Sequence, residues 1–308
     1  MSEFASRGLI HDSTDRAVLS QRSTSGQLGA YVGFDPTADS LHVGHLLGQI
    51  SLRRLQLAGH RPFVLAGGAT GMVGDPTDKL AVRKPLTRKQ VLENAKNYKK
   101  LIGKILDLKK TKFKFNSEWL SKMTFAELIK LASEFTVQRL LERDMFAKRV
   151  KEGKPIHLHE FLYPLMQGYD SVAMNVDMEI GGNDQTFNML AGRDLMKALK
   201  NKEKFVLTTK LLEDPSGEKM GKTTGNMVEL ESEPKEMFGK IMAITDGLIV
   251  PYFEYCTAVS MNKIREYKKQ LEQKSANPRD IKMILAYEIT KIYWGEKGAQ
   301  EGKEYFVS

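Results

Sequence analysis

Residues 31–45, Tyr-Val-Gly-Phe-Asp-Pro-Thr-Ala-Asp-Ser-Leu-His-Val-Gly-His, contain the elements that decide the fold. The apolar start predicts a buried strand over residues 29–34, which Asp35-Pro36 ends. Asp39 and Ser40 are good N-cap residues, so they predict a helix directly after them. Apolar residues at helical spacing then continue to Gly59, and a second apolar strand follows at residues 62–66. This strand–helix–strand order predicts a parallel pair with a right-handed crossover.

The two histidines of this stretch, His42 and His45, are three residues apart and would share one face of the predicted helix. Gly44 allows a ligand to approach the backbone between them. A helix N-terminus with two imidazoles suits a polyphosphate. The alternative is a pair of histidines on an ordinary surface helix.

The same alternation of strands and helices continues along the chain and predicts an α/β fold, an open parallel sheet with helices on both faces. From residue 231 the pattern becomes helical only, which predicts a domain over 1–230 and a small all-helical domain over 231–308. The remaining predicted strands are 112–115, 176–180 and 205–208, and the longer predicted helices are 88–110, 125–150 and 186–200.

The composition is that of a globular protein, with 308 residues and 41% hydrophobic side chains. No apolar run approaches the roughly 20 residues of a membrane span. The single cysteine, Cys256, excludes an internal disulfide and fits the cytoplasm. The net charge of +9 suggests a polyanionic partner such as nucleic acid, although a solvated lysine-rich surface would give the same balance.

Residues 67–76 form a glycine-rich turn after the second strand. Its glycine spacing does not match the dinucleotide fingerprint, and no Gly-Lys-Ser/Thr closes it as a P-loop. Either a ligand lies against its backbone at the carboxyl end of a strand, or the loop needs positive φ angles.

A mostly apolar helical stretch, residues 161–170, carries Tyr163, Gln167 and Asp170 at spacings of four and three. These polar side chains share one face, and buried polar groups need partners. The pattern favours a polar ligand against this face.

The loop over residues 213–226 contains Lys219-Met-Gly-Lys-Thr223. A P-loop would need glycine at position 216, which is Ser216, so we interpret the loop as a flexible cationic clamp for phosphates. Elsewhere, His157-Leu-His-Glu160 invites a metal hypothesis, but local hydrogen bonding explains it better because no further ligand cluster accompanies it.

Five motifs together resemble the bacterial-type tyrosyl-tRNA synthetases, which are class I aminoacyl-tRNA synthetases. They are His-Val-Gly-His, Gly-Gly-Ala-Thr-Gly-x-x-Gly-Asp-Pro, Gln-Gly-Tyr-Asp, Gly-Gly-x-Asp-Gln and Lys-Met-Gly-Lys-Thr, in the family's order over nearly the whole chain. The resemblance implies a Rossmann-like sheet, activation of L-tyrosine with ATP, and transfer of the tyrosyl group to tRNA(Tyr). It also implies Mg²⁺ with ATP, no separate protein metal site, a cytoplasmic location without membrane contact, and a homodimer formed through the insert at residues 117–160.

The resemblance also assigns roles to individual residues. The catalytic set that it implies is His42, His45, Lys219, Lys222 and Thr223. The ATP-binding set is Asp35, Thr37, His42, His45, Gly182, Asp184 and Lys222. The tyrosine-binding set is Tyr31, Asp75, Tyr163, Gln167, Asp170 and Gln185.

Within the tyrosine-binding set, Tyr31 and Asp170 would bind the phenol hydroxyl, and Gln185 would lie near the carboxylate. A buried donor and acceptor built for a hydroxyl reject phenylalanine, because they would be left unpaired. Asp170 is not expected to act as a base, since the substrate carboxylate is already ionised.

Some positions depart from the family pattern. Gly221 replaces a serine of the lysine loop, Val32 replaces a polar ribose contact, and Glu179 stands where glutamine is frequent. The chain ends at Ser308, before the further RNA-binding domain usual in bacterial members. We therefore expect a shortened form that activates tyrosine and charges tRNA weakly.

Three alternatives stay open at this point. The tryptophan enzyme shares the fold, but Tyr31 and Asp170 favour a substrate with a hydroxyl. An inactive RNA-binding relative would carry damaged histidines or lysines, whereas His42 and Lys219 are intact. A nicotinamide dehydrogenase would need the glycine fingerprint.

Overall fold

The computed structural model of the protein describes residues 1–36, 41, 43–75, 86–210 and 229–308. Within these ranges six strands form one sheet in the order β1-β6-β5-β2-β3-β4. The strands are β1 (Ile10–Ser13), β2 (Gly29–Phe34), β3 (Arg61–Ala66), β4 (Lys112–Phe115), β5 (Met178–Gly182) and β6 (Phe205–Thr209).

The predicted parallel sheet is confirmed for every pair from β6 to β4. The edge strand β1 corrects the prediction, because it runs antiparallel to β6. The sequence did not predict β1, since its residues are half-buried or exposed and form no apolar run. Its pairing is reinforced by Thr208, whose Oγ1 accepts a hydrogen bond from the Asp12 amide.

The helices alternate with the strands in the first part of the chain and dominate the second. They are α1 (Ser2–Ser6), α2 (Arg16–Ser25), α3 (Val43–Leu57), α4 (Thr70–Val73), α5 (Arg88–Ile102), α6 (Ser117–Leu120), α7 (Phe125–Ala132), α8 (Val137–Leu141), α9 (Asp144–Lys151), α10 (Leu158–Met174), α11 (Thr186–Lys200), α12 (Pro234–Met242), α13 (Ile249–Cys256), α14 (Met261–Glu272) and α15 (Pro278–Val307). Short 3-10 turns lie at Asn183–Gln185 and Asp246–Leu248.

Two predicted helices were too long. The stretch 125–150 is broken into α7, α8 and α9, with Thr136 capping the N-terminus of α8 through a side chain that accepts from the Arg139 amide. The helix predicted over 88–110 ends at Ile102 in α5.

Helices cover both faces of the sheet, as predicted. On β2, Ala30 and Val32 belong to the apolar core that contains α3, whereas Tyr31 points the other way and packs with Phe63 and Leu65. Successive side chains of a strand alternate between faces. On the Tyr31 face, α10 and α11 pack against each other so closely that a Cβ at Gly168 would lie 3.1 Å from the Gly192 amide nitrogen.

The helices after residue 231 form the expected all-helical segment. In it, α12 packs along α15, α13 packs on α3, and α15 is broken at Gly295, where φ is 68°. This segment shares one apolar core with α3 and β2. The domain boundary at 230 and 231 therefore stays a prediction. Across the described ranges, no helix combines the length and the apolar character that crossing a membrane requires.

Candidate active site

The predicted site residues extend from the middle of β2 and β5, which are neighbours in the sheet, to the carboxyl ends of these strands, and we call this region the pocket. Tyr31 on β2 is paired in register with Glu179 on β5, so the two side chains lie side by side. Tyr31 is fully buried, and its hydroxyl lies 3.0 Å from Ser171 Oγ. Burial, with the charges of Glu179 and Asp170, raises the pKa of Tyr31 well above its usual range. Tyr31 is thus a neutral hydroxyl group at neutral pH.

Asp170 on α10 is held by two donors that the sequence analysis missed. Its carboxylate accepts hydrogen bonds from Trp119 Nε1 at 2.8 Å and from Asn116 Nδ2 at 3.2 Å, and only 2% of the residue is exposed. Burial raises the pKa of Asp170 well above its usual range, although both hydrogen bonds oppose that shift. The available signal was position, because Asn116 follows the carboxyl end of β4 directly.

A chain of hydrogen bonds connects Asp170 with Asp35 at the end of β2. Asn116 Nδ2 also donates to Thr70 Oγ1 at 2.9 Å, and Thr70 donates to Asp35 at 2.7 Å. Tyr163 donates to the other Asp35 oxygen at 2.7 Å. The residues predicted for the nucleotide side and for the phenol side therefore belong to one network.

Two glycines of the turn after β3 are required for different reasons, and the positive φ that the sequence analysis considered applies to Gly74. A Cβ at Gly67 would lie 1.9 Å from Asp35 Oδ1, so this glycine makes room for the network. Gly74 has a φ of 81°, which other residues rarely adopt.

Tyr163 lies at the centre of the acidic part of the pocket. Burial raises the pKa of Tyr163 well above its usual range, and the charges of Asp35, Asp75 and Asp170 add to this shift. Asp35 is in direct contact with this hydroxyl group, and the charges of the other two carboxylates act on it as well. Such a cluster suits a ligand that carries an ammonium group.

Asp75 and Gln185 are brought together, as predicted for neighbours in one site. Gln185 Nε2 donates to Asp75 Oδ2 at 2.7 Å, and Arg143 Nη2 lies 3.9 Å from the other Asp75 oxygen. The guanidinium of Arg143 stands against the rings of Phe146 and Phe187, which keeps it buried. Burial lowers the pKa of Arg143, and Asp75 opposes that shift. Arg143 was not predicted, and it comes from the insert at 117–160.

Gln167 is hydrogen-bonded to one member of a buried ion pair. Its Nε2 donates to Glu179 Oε1 at 3.0 Å, and the other Glu179 oxygen pairs with Lys204 Nζ. Lys204 is fully buried and 3% of Glu179 is exposed. The charge at position 179, which the family pattern left unexplained, is thus matched by a lysine just before β6.

Three further predicted residues lie near the carboxyl ends of β2 and β5. His45 is in the first turn of α3, with its ring centroid 5.8 Å from that of Phe34. Gly182 ends β5, and Asp184 lies in the 3-10 turn directly after it. The other predicted residues, Thr37, His42, Lys219, Lys222 and Thr223, lie outside the described residues.

Residues 157–160 make local contacts, which include a stack of the His157 and His159 rings with centroids 5.8 Å apart. The His157 amide donates to Glu160 Oε1 at 2.8 Å, and Glu160 forms a buried ion pair with Arg149. Within the described ranges no group of three or more His, Cys, Asp or Glu side chains is arranged to hold a metal.

Comparison with known proteins decides the family. The pattern of the tRNA synthetases class I (W and Y) matches residues 23–308. A tyrosine–tRNA ligase of Thermotoga maritima is 44% identical over 302 residues, which cover 98% of this chain and 75% of that protein. The chain belongs to the class I tyrosyl-tRNA synthetases. The predicted family and the enzyme class are confirmed, and the dehydrogenase alternative is wrong.

Other tyrosyl-tRNA synthetases resemble the chain in the same way. A tyrosine–tRNA ligase of Carboxydothermus hydrogenoformans is 50% identical over 277 residues, covering 90% of this chain and 67% of that protein. The crystal structure of a C-terminally truncated mitochondrial tyrosyl-tRNA synthetase of Aspergillus nidulans superposes with a TM-score of 0.85 at 26% identity, covering 99% of this chain and 92% of that one.

Proposed function

We propose that this synthetase activates L-tyrosine with ATP and then transfers the tyrosyl group to tRNA(Tyr). The observation that carries the proposal is the continuous network from Asp170 to Asp35. One end presents a buried carboxylate for a hydroxyl group, and the other end lies where β2 gives way to the histidine-bearing helix. An amino acid with a phenol at one end and a carboxyl group to be activated at the other would match both ends.

Tyrosine would enter with its ring beside Tyr31 and its hydroxyl toward Asp170. Its ammonium group would be bound by Asp75, Tyr163 and Gln167, in the acidic part of the pocket. Gln185, held by Asp75 and by Asn188 at 3.0 Å, would contact the tyrosine carboxylate. Each of these side chains is already oriented by a hydrogen bond, so little ordering remains to be done on binding.

ATP would lie beside the tyrosine carboxylate. We propose that Asp35 and Thr37 contact the nucleotide, and that Gly182 and Asp184 contact the ribose. His42, His45, Lys219, Lys222 and Thr223 would supply donors and positive charge to the phosphates. Mg²⁺ would arrive with ATP and be held mainly by the phosphates.

The chemistry requires alignment more than covalent help. A tyrosine carboxylate oxygen attacks the α-phosphorus, and the bond to the pyrophosphate breaks. A ribose hydroxyl of the terminal adenosine then attacks the tyrosyl carbonyl carbon and AMP leaves. Donors placed where charge grows on the leaving phosphates lower the barrier of the first step.

The cytoplasm is the expected location for a partner of tRNA. A basic lysine-rich surface that includes Lys99, Lys100 and Lys112 would suit an RNA backbone. We also propose a homodimer formed through the insert at 117–160. Within that insert, Phe125, Ile129, Val137, Val150 and Leu158 expose more than half of their surface. Exposed apolar side chains concentrated in one segment favour an interface.

Tyrosine-dependent exchange of labelled pyrophosphate into ATP tests the proposal, with phenylalanine and tryptophan as parallel substrates. We expect exchange with tyrosine alone. Exchange with tryptophan would contradict the roles of Tyr31 and Asp170 and keep the class of enzyme. No exchange with any of the three would favour the inactive RNA-binding alternative.

A further inference from the structure

A fully buried ion pair lies directly beneath the proposed tyrosine pocket. The Lys204 ammonium pairs with Glu179, donates to the Met189 carbonyl at 3.0 Å, and lies 5.7 Å from the centroid of the Tyr31 ring. No surface of Lys204 is exposed. Burying two charges costs free energy that their attraction seldom returns in full, so packing alone does not explain the pair.

Both residues of the ion pair lie next to residues of the proposed tyrosine pocket. Glu179 accepts from Gln167 and stands opposite Tyr31 in the sheet. Burial lowers the pKa of Lys204, and the paired Glu179, with the charges of Asp170 and Asp194, opposes that shift. The carboxylate in direct contact with the ammonium group is that of Glu179.

The backbone makes room for this ammonium group. A Cβ at Gly192 on α11 would lie 2.5 Å from Lys204 Nζ and 2.9 Å from Ser171 Oγ. Ser171 in turn contacts the Tyr31 hydroxyl. The cation, the serine and the tyrosine are thus packed into one site between α10, α11 and the sheet.

We propose that Lys204 is a positioning residue for tyrosine recognition. Its ammonium group pairs with the Glu179 carboxylate, and that carboxylate in turn orients the Gln167 amide that would bind the ammonium group of tyrosine. This inference rests on the proposed function. Without Lys204, the buried Glu179 carboxylate would lose its charged partner and would have to rearrange. The Gln167 amide would then lose the contact that orients it toward the substrate.

The test compares three variants of the full chain: Lys204→Met, Glu179→Gln and the double variant. Each is assayed by tyrosine-dependent pyrophosphate exchange, with the KM for tyrosine, the KM for ATP and kcat measured separately. We expect Lys204→Met to raise the KM for tyrosine at least tenfold and to change the KM for ATP less than twofold. The double variant removes both charges of the pair and keeps an amide oxygen at position 179 that can accept from Gln167, so it should return the KM for tyrosine to within about threefold of the parent.

The matched control is Lys202→Met. Lys202 also pairs with a carboxylate, that of Asp177 at 2.9 Å, but outside the pocket. We expect both KM values of this variant to stay within twofold of the parent. If Lys204→Met fails to fold, Gly192→Ala displaces the ammonium group without removing it, and should raise the KM for tyrosine threefold or more.

Three outcomes would overturn the proposal for Lys204 alone. They are an unchanged KM for tyrosine in folded Lys204→Met or Gly192→Ala, equal rises in both KM values, and a double variant as impaired as Lys204→Met. Absence of exchange in the parent chain would instead overturn the proposed function, and this inference with it.

Discussion

At the scale of single residues, the ability of the pocket to bind a hydroxyl group depends on which hydrogen-bond donors contact its carboxylates. Asp170 is buried yet receives an indole N–H and an amide N–H, both neutral. Both donors oppose the rise of the Asp170 pKa that burial causes, and they leave lone pairs of the carboxyl group free to accept a hydrogen bond from a substrate hydroxyl. A lysine or arginine at the same place would compete with the substrate for Asp170.

Trp119→Phe tests this view because it removes one donor and keeps an aromatic ring. A hydrogen bond to a charged group contributes about 1.5 kcal/mol or more, so we expect the KM for tyrosine to rise about tenfold. Preference for tyrosine over phenylalanine should fall as well, since phenylalanine makes no use of Asp170. Pyrophosphate exchange with both amino acids measures these effects.

The second tryptophan of the chain provides the control. Trp294 Nε1 donates to the Ser232 carbonyl at 3.0 Å, in the helical segment. Trp294→Phe should leave the KM for tyrosine unchanged. A comparable loss of tyrosine affinity in both variants would show that stability, and not the Asp170 contact, is responsible.

At the scale of elements, α10 presents the polar face that recognises the substrate, and α11 fixes its position. Gly168 and Gly192 allow the two helices to approach to backbone contact. Closely packed interiors tolerate little added volume. The position of Tyr163, Gln167 and Asp170 relative to the sheet therefore depends on glycine at both contact positions, because any larger residue would push the helices apart.

Gly168→Ala should destabilise the protein by about 1–3 kcal/mol, because the new methyl group would lie 2.9 Å from Leu195 Cδ1 and 3.1 Å from the Gly192 amide nitrogen. Urea unfolding followed by circular dichroism measures the change. Gly239→Ala on α12 is the control, since nothing lies within 4 Å of its new Cβ. There we expect a gain of about 0.5–1 kcal/mol from helix propensity. Equal effects at both positions would contradict the packing argument.

Strands and helices were predicted well from the sequence where one physical signal, such as an apolar run or helical periodicity, dominates. The strands at 29–34 and 112–115 and the helix at 186–200 agree with the structure at both ends. Apolar periodicity carries no information on where a long helical stretch breaks, so α7, α8 and α9 were merged. Asn116, Trp119 and Lys204 were missed for another reason. They reach the pocket from strand ends far apart in the chain, and only the assembled sheet brings them together.

At the scale of the whole molecule, the insert at 117–160 has one side on the protein surface and one residue, Arg143, in the substrate pocket. Its helices α7 to α9 expose apolar side chains outward, whereas Arg143, between α8 and α9, reaches Asp75 inside. A partner subunit bound to the outer side would therefore contact the same short segment that lines the ammonium site.

Phe125→Glu or Leu158→Glu should convert the expected dimer to a monomer, because a charge in an apolar interface loses its hydration. Light scattering coupled to size-exclusion chromatography measures the mass in solution. Leu57→Glu is the control, since Leu57 is 70% exposed on α3, outside the insert. A monomeric parent protein, or dissociation by all three variants alike, would contradict an interface through the insert.

The neighbouring position of β2 and β5 has a consequence for how the protein is made. These two strands frame the pocket, yet one lies near the start of the chain and the other follows the whole insert. Closing so long a loop is slow compared with forming a helix. A ribosome must release more than half of this chain before Tyr31 can meet Glu179, so the pocket cannot form earlier in synthesis. Until then the edge of β2 that pairs with β5 is without that partner, although β3 can already pair with the other edge. An unpaired strand edge favours aggregation, so the nascent chain needs protection during this interval.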